Sequence, residues 1–596
     1  MSGGKAPHEH RPSRRGRSPF TLLVATSLLF AIAVCATAAG AGADPSAADS
    51  KFDALVDEYY ADYSRVHPSS ATDLGIHDHD SDLEDLSPEA IAREAARLGS
   101  FATRFAAIDS RTLAPMRAAD RALVLSSIDA QLLESERIQG WKHRADTYTN
   151  LANGGVYVLV KRASAPEATR LEHVIARTEK IPALIEQAKK NLADVPKVNI
   201  EIALDDLPGV ISFFKEDVPA AFPKALQGEA AAARWKKACE GACAALESYQ
   251  KFLEEKLPIA KAGFALGAER FAKKLAAEEM LTTPLDALLA RGEEELRRLQ
   301  KEFEKTAARI DPKKPPREVQ AALGADHAAA DKVIPETQAR LTALRDFLIA
   351  KQIVTVPSDL MPRVEETPPC MRSTTLASMF TPGPFEKTAS DAIFNVTLPD
   401  PKWPKEKADE YLAGALNRTV MDVTAIHEAF PGHFVQFIWL PRVESKVRKF
   451  EGAASNSEGW AHYCEQMLLD EGWGDGDPRL RLAQIQDALL RAARYVAGIR
   501  MHVHGMTFDE SVRFFDEQGY QAKEVALMET RRGTGDPTYL YYTWGKLEIL
   551  ALREAYKKKL GDAYTLQKFH DAFLAQGSAP LPLVREALLR DPAPKR

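Results

Sequence analysis

The stretch Asp422-Val-Thr-Ala-Ile-His427-Glu428-Ala-Phe-Pro431-Gly432-His433-Phe-Val-Gln436 is the part of the chain around which we expect the fold to be organised. In the common zinc motif, two histidines four residues apart share one helical face, and a glutamate follows the first. Here the histidines are six residues apart, which on a straight helix separates them by about 120° around the axis, too far to share one ion. Because Pro431 cannot donate a backbone hydrogen bond and Gly432 has wide conformational freedom, we expect a bulge or kink that brings both imidazoles back to one ion.

The histidine pair alone also fits a plain helix-loop-helix junction with incidental histidines. A second segment, Ser457-Glu458-Gly-Trp460-Ala-His462-Tyr463-Cys-Glu465, favours the metal-site interpretation. Its Glu458, His462 and Glu465 have the spacing of a single helical face. The flanking residues are apolar, so this face is expected to be buried, where a carboxylate needs a partner. This face therefore carries three side chains, Glu458, His462 and Glu465, that can bind a metal or exchange a proton beside the two histidines.

Together with Tyr542-x-x-Gly545-Lys546 near the C-terminus, these motifs resemble the bacterial family catalogued as domain of unknown function 885. Members of that family are regarded as candidate zinc metallopeptidases related to the gluzincins. The resemblance therefore implies that one zinc ion per chain is bound by His427, His433 and Glu458. The resemblance covers most of the chain after residue 43 in layout, and its motifs are specific from about Val354 onward. Many relatives carry a further histidine directly after the second motif histidine, where Phe434 stands here, and this leaves the ligand at His433 in place.

The start of the chain has the pattern of a secretory signal. Arginines precede an apolar run over residues 20–36, and small residues follow up to Ala43, so cleavage is expected after Ala41 or Ala43. The apolar run is too short for a confident membrane span, and no stable membrane insertion is expected after cleavage. Cys35 follows Val34, whereas a lipidated cysteine follows a small residue, so we do not expect lipoprotein anchoring. The sequence thus predicts a periplasmic or extracellular protein.

The composition describes a soluble globular protein, with 596 residues, 45% hydrophobic and 27% charged. Without residues 1–43, which contain five basic residues and one acidic residue, 73 basic and 83 acidic residues remain, a formal charge of about −10 at pH 7. This charge argues against nucleic acid or anionic lipid as a partner. The four remaining cysteines, Cys239, Cys243, Cys370 and Cys464, are too few for a disulfide scaffold.

The pattern of apolar residues predicts a mainly α-helical fold, and the family resemblance implies a large multi-helix zinc-peptidase-like architecture. Residues 44–352 are expected to form a helical N-terminal lobe, and residues 353–596 a catalytic lobe with the metal-site helices. Between Ile353 and Asp400, β-branched and aromatic residues bounded by turn formers predict a small antiparallel sheet near the cleft. The segment 392–398 could pair with an extended substrate, with Asn395 as a side-chain contact, or could be a plain structural hairpin.

The remaining candidate roles follow from the chemistry of a zinc peptidase. Glu428 is expected to be the general base for a metal-activated water, and His462 or Glu465 to orient the ligands from behind. An oxyanion donor and a cation for a substrate carboxylate are also needed. We predict Tyr542 and His502 as donors and Arg531 as the cation, although a tyrosine cluster at a helix start is also typical of a core.

The sequence therefore predicts an exported zinc metallopeptidase that takes peptides as substrates. Two alternatives remain: a zinc hydrolase of non-peptide amides or esters, and a catalytically silent helical protein that binds metal or peptide. Two imidazoles and a carboxylate at an exported site favour zinc over manganese or cobalt. Neither the oligomeric state nor the end from which a peptide is cleaved follows from the pattern.

Overall fold

The predicted mainly α-helical fold is confirmed in the computed structural model, which describes residues 46–261, 263–368, 372 and 375–590. The predicted signal segment with Cys35, and also Cys370, lie outside the described residues. In chain order, the α-helices are α1 (Ala47–Val66), α2 (Pro68–Leu74), α3 (Pro88–Ala106), α4 (Pro115–Leu132), α5 (Gly140–His143), α6 (Asp146–Lys161), α7 (Glu167–Thr178), α8 (Ile181–Asn191), α9 (Lys197–Ser212), α10 (Val218–Ala221), α11 (Glu229–Lys256), α12 (Ala268–Glu279), α13 (Leu285–Ile310), α14 (Pro316–Ala322), α15 (Ala330–Lys351), α16 (Lys405–Ala415), α17 (Arg418–Glu428), α18 (His433–Trp439), α19 (Val447–Phe450), α20 (Ala454–Asp470), α21 (Pro478–Val503), α22 (Phe508–Glu517), α23 (Lys523–Gly535), α24 (Tyr541–Leu560), α25 (Leu566–Leu574) and α26 (Leu581–Leu589). Within this part of the chain, no helix combines the length and the hydropathy that a membrane crossing requires.

Helices α13 and α21 pack along each other and show how apolar spacing builds the core. On α13, Leu296, Leu299 and Phe303 recur at three- and four-residue intervals and are buried in one cluster with the apolar face of α21. Burying each such side chain contributes about 1.5–3 kcal/mol. This seam holds α21, a helix of the predicted catalytic lobe, against a helix of the predicted N-terminal lobe.

The predicted lobes 44–352 and 353–596 share one hydrophobic core. Its largest cluster contains residues from Phe52 to Leu588, and within the same unit the Tyr60 ring stacks on Phe450 with centroids 3.9 Å apart. Helices α6 to α11 form a second cluster of their own. In space the chain from Ser46 onward is one compact unit, and the predicted boundary marks a change of secondary structure along the chain.

The sheet is mixed, so the prediction of a purely antiparallel sheet is wrong. Strands β1 (Arg363–Glu366), β2 (Ala377–Phe380) and β3 (Ile393–Val396) have the order β1-β3-β2, with β3 parallel to β1 and antiparallel to β2. The turn formers between β2 and β3 predicted the antiparallel pair. The parallel pair depends on a distant residue, because the Gln338 side chain of α15 bonds the Val364 N–H at 3.0 Å and the Pro362 carbonyl at 3.0 Å, which positions β1.

Candidate metal centre

The helix that carries the first histidine is broken completely, which exceeds the predicted bulge or kink. Helix α17 begins at the cap Asn417, whose side chain accepts from the Val420 N–H at 3.1 Å, and ends at Glu428. Helix α18 begins at His433, after a four-residue turn that contains a cis Phe430–Pro431 bond. As a result, the rings of His427 and His433 lie 4.9 Å apart, centroid to centroid.

No residue larger than glycine fits at position 432 without a steric clash. A Cβ atom at this position would lie 1.7 Å from the His427 carbonyl oxygen. The Gly432 N–H also donates to the Ile426 carbonyl at 3.0 Å. The Trp460 indole N–H donates to the Pro431 carbonyl at 2.9 Å, so the turn is held from α20 as well.

The three side chains predicted as ligands converge. One carboxylate oxygen of Glu458, Oε2, lies 3.5 Å from His427 Nε2 and 3.3 Å from His433 Nε2. The ligand atoms of these three residues all lie within 4.8 Å of one another. Glu458 Oε2 is buried and has no hydrogen-bond partner among the described residues. A buried carboxylate oxygen without a partner, facing two imidazole nitrogens, fits a cation better than it fits a closed hydrogen-bond network.

A second layer of charged residues fixes the first histidine. Glu465, fully buried, accepts from His427 Nδ1 at 2.7 Å and contacts His462 Nδ1 at 2.9 Å. The Arg491 guanidinium lies 3.3 Å from the same carboxylate. A carboxylate on Nδ1 sets the histidine tautomer and leaves Nε2 as the ligand atom. Of the two residues predicted to orient the ligands, Glu465 contacts His427 directly, and His462 contacts Glu465.

The pKa values show that the cluster favours positive charge. Burial and Arg491 act against protonation of His427, but the carboxylates of Glu458 and Glu465 outweigh them and raise its pKa to about 9. Burial also acts against ionisation of Glu458, yet the imidazoles of His433 and His427 hold its pKa well below its usual range. The cluster therefore attracts a proton or a metal ion into the space between the imidazoles.

Glu428 and Tyr542 flank the cluster. Burial raises the pKa of Glu428, opposed by His433 and His427. The Tyr542 ring faces His427 with centroids 6.4 Å apart, and its hydroxyl accepts from Arg532 Nη2 at 3.0 Å. Burial, with Glu458 nearby, raises the pKa of Tyr542 to about 12. The phenol is therefore neutral at pH 7, and since its oxygen accepts from Arg532, its own proton is free to be donated.

Comparison with known proteins identifies the family. The model of the family described as "Bacterial protein of unknown function (DUF885)" matches residues 68–588. The chain belongs to this family. No curated protein matches the chain.

Two solved structures resemble this DUF885 chain. One, described as "a putative lipoprotein of unknown function" from Shewanella oneidensis, is 25% identical with a TM-score of 0.75, over 91% of this chain and 100% of that chain. The other, described as "the putative lipoprotein" from Colwellia psychrerythraea, is 20% identical with a TM-score of 0.75, over 90% of this chain and 98% of that chain. The second likeness shows the fold alone.

Two motif glycines of the DUF885 chain mark a close helix crossing. A Cβ at Gly459 on α20 would lie 2.6 Å from Gly545 Cα on α24, and a Cβ at Gly545 would lie 2.1 Å from the Ser455 carbonyl oxygen. The backbones of α20 and α24 therefore touch. This contact brings Glu458 and Tyr542, residues from separate motifs, to the same site.

Three predicted site residues lie outside the cluster. His502 is eleven residues beyond Arg491 on α21, about 16 Å along the helix, and its ring nitrogens contact the Gly533 carbonyl at 2.7 Å and the Leu266 N–H at 3.3 Å. Arg531 is paired with Asp205 at 2.7 Å. Neither side chain is positioned for the role predicted for it.

Asn395 is the third of these residues. It lies on β3, which has a neighbour on both sides and so no edge for a substrate, and its amide donates to Ser378 at 3.3 Å. The strand β2 is at an edge of the sheet and packs beside α17. Among the described strands, β2 and not β3 therefore has an edge without a strand neighbour on the side facing away from β3.

Sequence reasoning missed two arginines of the DUF885 site, Arg491 and Arg532. Arg491 touches Glu465 and Tyr542, and Arg532 touches Tyr542. The available signal for Arg491 was its i, i+3 relation to Arg494 within residues 488–499 of α21, which are otherwise apolar. For Arg532, adjacent to Arg531, no signal in the sequence separates the two.

Proposed function

We propose that this DUF885 protein is an exported zinc-dependent metallopeptidase. The observation that carries the proposal is the convergence of His427, His433 and Glu458, with ligand atoms within 4.8 Å of one another and Glu465 behind His427. Two imidazoles and one carboxylate are a usual zinc ligand set, and three protein ligands leave a position open in a tetrahedral site. These residues would hold one ion per chain.

Zinc, when bound, supplies Lewis acidity that activates water and polarises a carbonyl oxygen. Glu428, next to His427, is the base in this proposal: its burial and raised pKa suit a carboxylate that takes a proton from water and returns it to the leaving amine. Tyr542 is the donor for the oxyanion, because its phenol keeps its proton at neutral pH and faces the ligand His427. In this proposal an extended peptide pairs with β2 at the edge that has no strand neighbour among the described residues.

The test compares the wild type with Glu428→Gln and His433→Ala. Elemental analysis after gentle purification is expected to find about one zinc ion per chain in the wild type and in Glu428→Gln, and little in His433→Ala. Hydrolysis of fluorogenic peptides is expected in the wild type only, to be lost on chelation and restored by zinc. Circular dichroism checks that both variants fold.

Parallel ester and non-peptide amide substrates separate the reaction classes. Hydrolysis of these substrates without any peptide cleavage would replace the peptidase by a general zinc hydrolase. Glu428→Gln protein that cleaves peptides at the wild-type rate would remove the assigned base. Metal binding without any hydrolysis would leave a silent metal-binding protein.

Export is part of the proposal and is supported by the signal pattern of residues 1–43 and by the lipoprotein descriptions of the two similar structures. The N-terminal residue of the mature protein distinguishes a free protein from a lipid-anchored one. Cleavage after Ala41 or Ala43 gives an unmodified N-terminus, whereas lipid anchoring requires a mature chain that starts at Cys35. Intact-mass measurement of protein from the cell envelope and the medium distinguishes these outcomes, and we expect the unmodified chain.

A further inference from the structure

Three arginines surround Tyr542, and they differ in how well their charges are matched. The guanidinium carbons of Arg491, Arg494 and Arg532 lie 5.4, 5.0 and 5.6 Å from the centre of the Tyr542 ring. Such cation–π contacts hold the ring in place. They also place three positive charges beside the predicted oxyanion donor.

Two of the three arginines are paired with carboxylates. Arg494 makes two hydrogen bonds to Glu529, at 2.6 and 2.7 Å. Arg491 is paired with Asp487 and lies 3.3 Å from Glu465. The side chains of Arg491 and Arg494 are each 9% exposed. Their role is to fix Tyr542 and the residues behind His427.

Arg532 differs in both respects. Its side chain is 39% exposed, and its contact to a carboxylate is a loose one, 3.5 Å to Asp536 Oδ2. That same oxygen already accepts from the Tyr541 hydroxyl at 2.5 Å. Arg532 instead gives its short hydrogen bond to the neutral Tyr542 hydroxyl, at 3.0 Å. A guanidinium with two parallel donor directions is therefore accessible and incompletely matched beside the site.

The position of Arg532 sets the distance at which it could act. Arg532 Nη2 contacts the Tyr542 hydroxyl, and the Tyr542 ring lies 6.4 Å from the His427 ring. Arg532 Nη2 is therefore within about 12 Å of the His427 ring. One extended residue spans at most about 3.3–3.6 Å. For a peptide bound in an extended conformation, a group held by Arg532 is thus about three residues from a bond held at the metal ligands.

We propose that Arg532 binds a substrate carboxylate and makes the site selective for peptides cleaved within about three residues of a free C-terminus. This inference rests on the proposed peptidase function. A carboxylate matches the planar fork of a guanidinium in a bidentate way. The carboxylate could come from the C-terminus or from an Asp or Glu side chain, and we assign it to the C-terminus.

The experiment uses one fluorogenic peptide in three forms: with a free C-terminal carboxylate, with a C-terminal amide, and as the amide with a glutamate within the last three residues. For the wild type, kcat/KM for the free acid is expected to exceed that for both amides by about 10- to 100-fold, the size of a charge-assisted hydrogen-bond pair. Because Arg532 also bonds the Tyr542 hydroxyl, Arg532→Gln is expected to lower kcat/KM for all three peptides, but most for the free acid, so that the preference is lost. Arg532→Lys is expected to recover part of it.

Arg531→Gln tests the competing assignment to the adjacent residue. Because Arg531 is paired with Asp205, this variant is expected to keep the wild-type preference. Loss of the preference in Arg531→Gln with retention in Arg532→Gln would overturn the assignment to Arg532. Equal cleavage of the acid and the amide by the wild type, or equal loss of both in Arg532→Gln, would also overturn it. A preference for the internal glutamate peptide would overturn the C-terminal source.

A binding measurement separates this inference from the peptidase proposal. Calorimetry on full-length mature Glu428→Gln protein compares the free acid and the amide of the same peptide. If the acid binds more tightly than the amide, and this difference is lost in Glu428→Gln/Arg532→Gln, carboxylate recognition is supported. This holds even if the wild type hydrolyses nothing, in which case only the peptidase proposal fails. Peptide hydrolysis without any difference in acid and amide binding contradicts the inference and leaves the peptidase proposal standing.

Discussion

The replacement Glu465→Gln tests whether the layer behind His427 tunes metal binding. Glu465 contacts His427 Nδ1 at 2.7 Å and His462 Nδ1 at 2.9 Å in a fully buried setting. Glutamine keeps the shape and an acceptor oxygen but removes the charge, so each charge-assisted bond of about 1.5–3 kcal/mol becomes a neutral one of about 0.5–1.5 kcal/mol. The bond to His427 is the one coupled to the metal, so about 1–2 kcal/mol is lost from zinc binding, a fall in affinity of about 5- to 30-fold.

The assay for Glu465→Gln is competition for zinc against a chromophoric chelator at fixed pH, with thermal unfolding of the metal-free protein measured in parallel. The matched control is Glu471→Gln, which removes the same charge from the exposed end of α20 and is expected to leave zinc affinity within about twofold of wild type. Wild-type zinc affinity in a folded Glu465→Gln protein would refute the reasoning. So would an equal loss of affinity in the control.

Three further predictions concern the backbone and the charge of the site. Gly432→Ala is expected to abolish stoichiometric zinc binding, measured by elemental analysis, because its Cβ would lie 1.7 Å from the His427 carbonyl oxygen; full zinc content would contradict this. Gly545→Ala is expected to lower the free energy of unfolding in urea by about 1–3 kcal/mol, because its Cβ would lie 2.1 Å from the Ser455 carbonyl oxygen. The control is Gly414→Ala, which has open space around its Cβ and is expected to lose no stability. The pKa of His427 is raised to about 9 without metal, so a proton competes with zinc below about pH 9. Apparent zinc affinity is therefore expected to rise from about pH 7 to about pH 9. A zinc affinity that does not change over this range would contradict zinc binding at His427.

The same raised pKa has a consequence for the metal-free protein. A histidine whose folded pKa lies above its unfolded value of about 6.5 contributes stability that is complete below pH 6.5 and is lost as the pH rises through about 9. Zinc removes this loss, because it takes the place of the proton between the imidazoles and the carboxylates. Metal-free protein is therefore expected to lose stability over the range in which the zinc-bound protein keeps it.

The parts of the site that could be predicted from sequence are those encoded by short spacings. His427 and His433 flank a proline-glycine pair, and Glu458, His462 and Glu465 repeat with the period of one helix, so a local pattern specified each group. The mixed sheet was different, because β1 is positioned by Gln338, some 26 residues away in the chain. Turn residues next to a strand predict its hairpin partner but carry no information about a distant side chain.

The arginine assignment shows the limit of a pattern at single-residue scale. Arg531 and Arg532 are identical in type and adjacent on α23, so composition and spacing describe them equally. Consecutive residues on a helix differ by about 100° in direction, and this rotation alone sends one side chain to Asp205 and the other to Tyr542. The helical pattern of the sequence places both arginines on α23. Which of them faces the site depends on the neighbouring helices: Arg531 faces α9 and Arg532 faces α24. The cation that binds a substrate carboxylate was predicted to be Arg531, and the structure favours Arg532 instead. Comparison of Arg531→Gln with Arg532→Gln decides between the two residues.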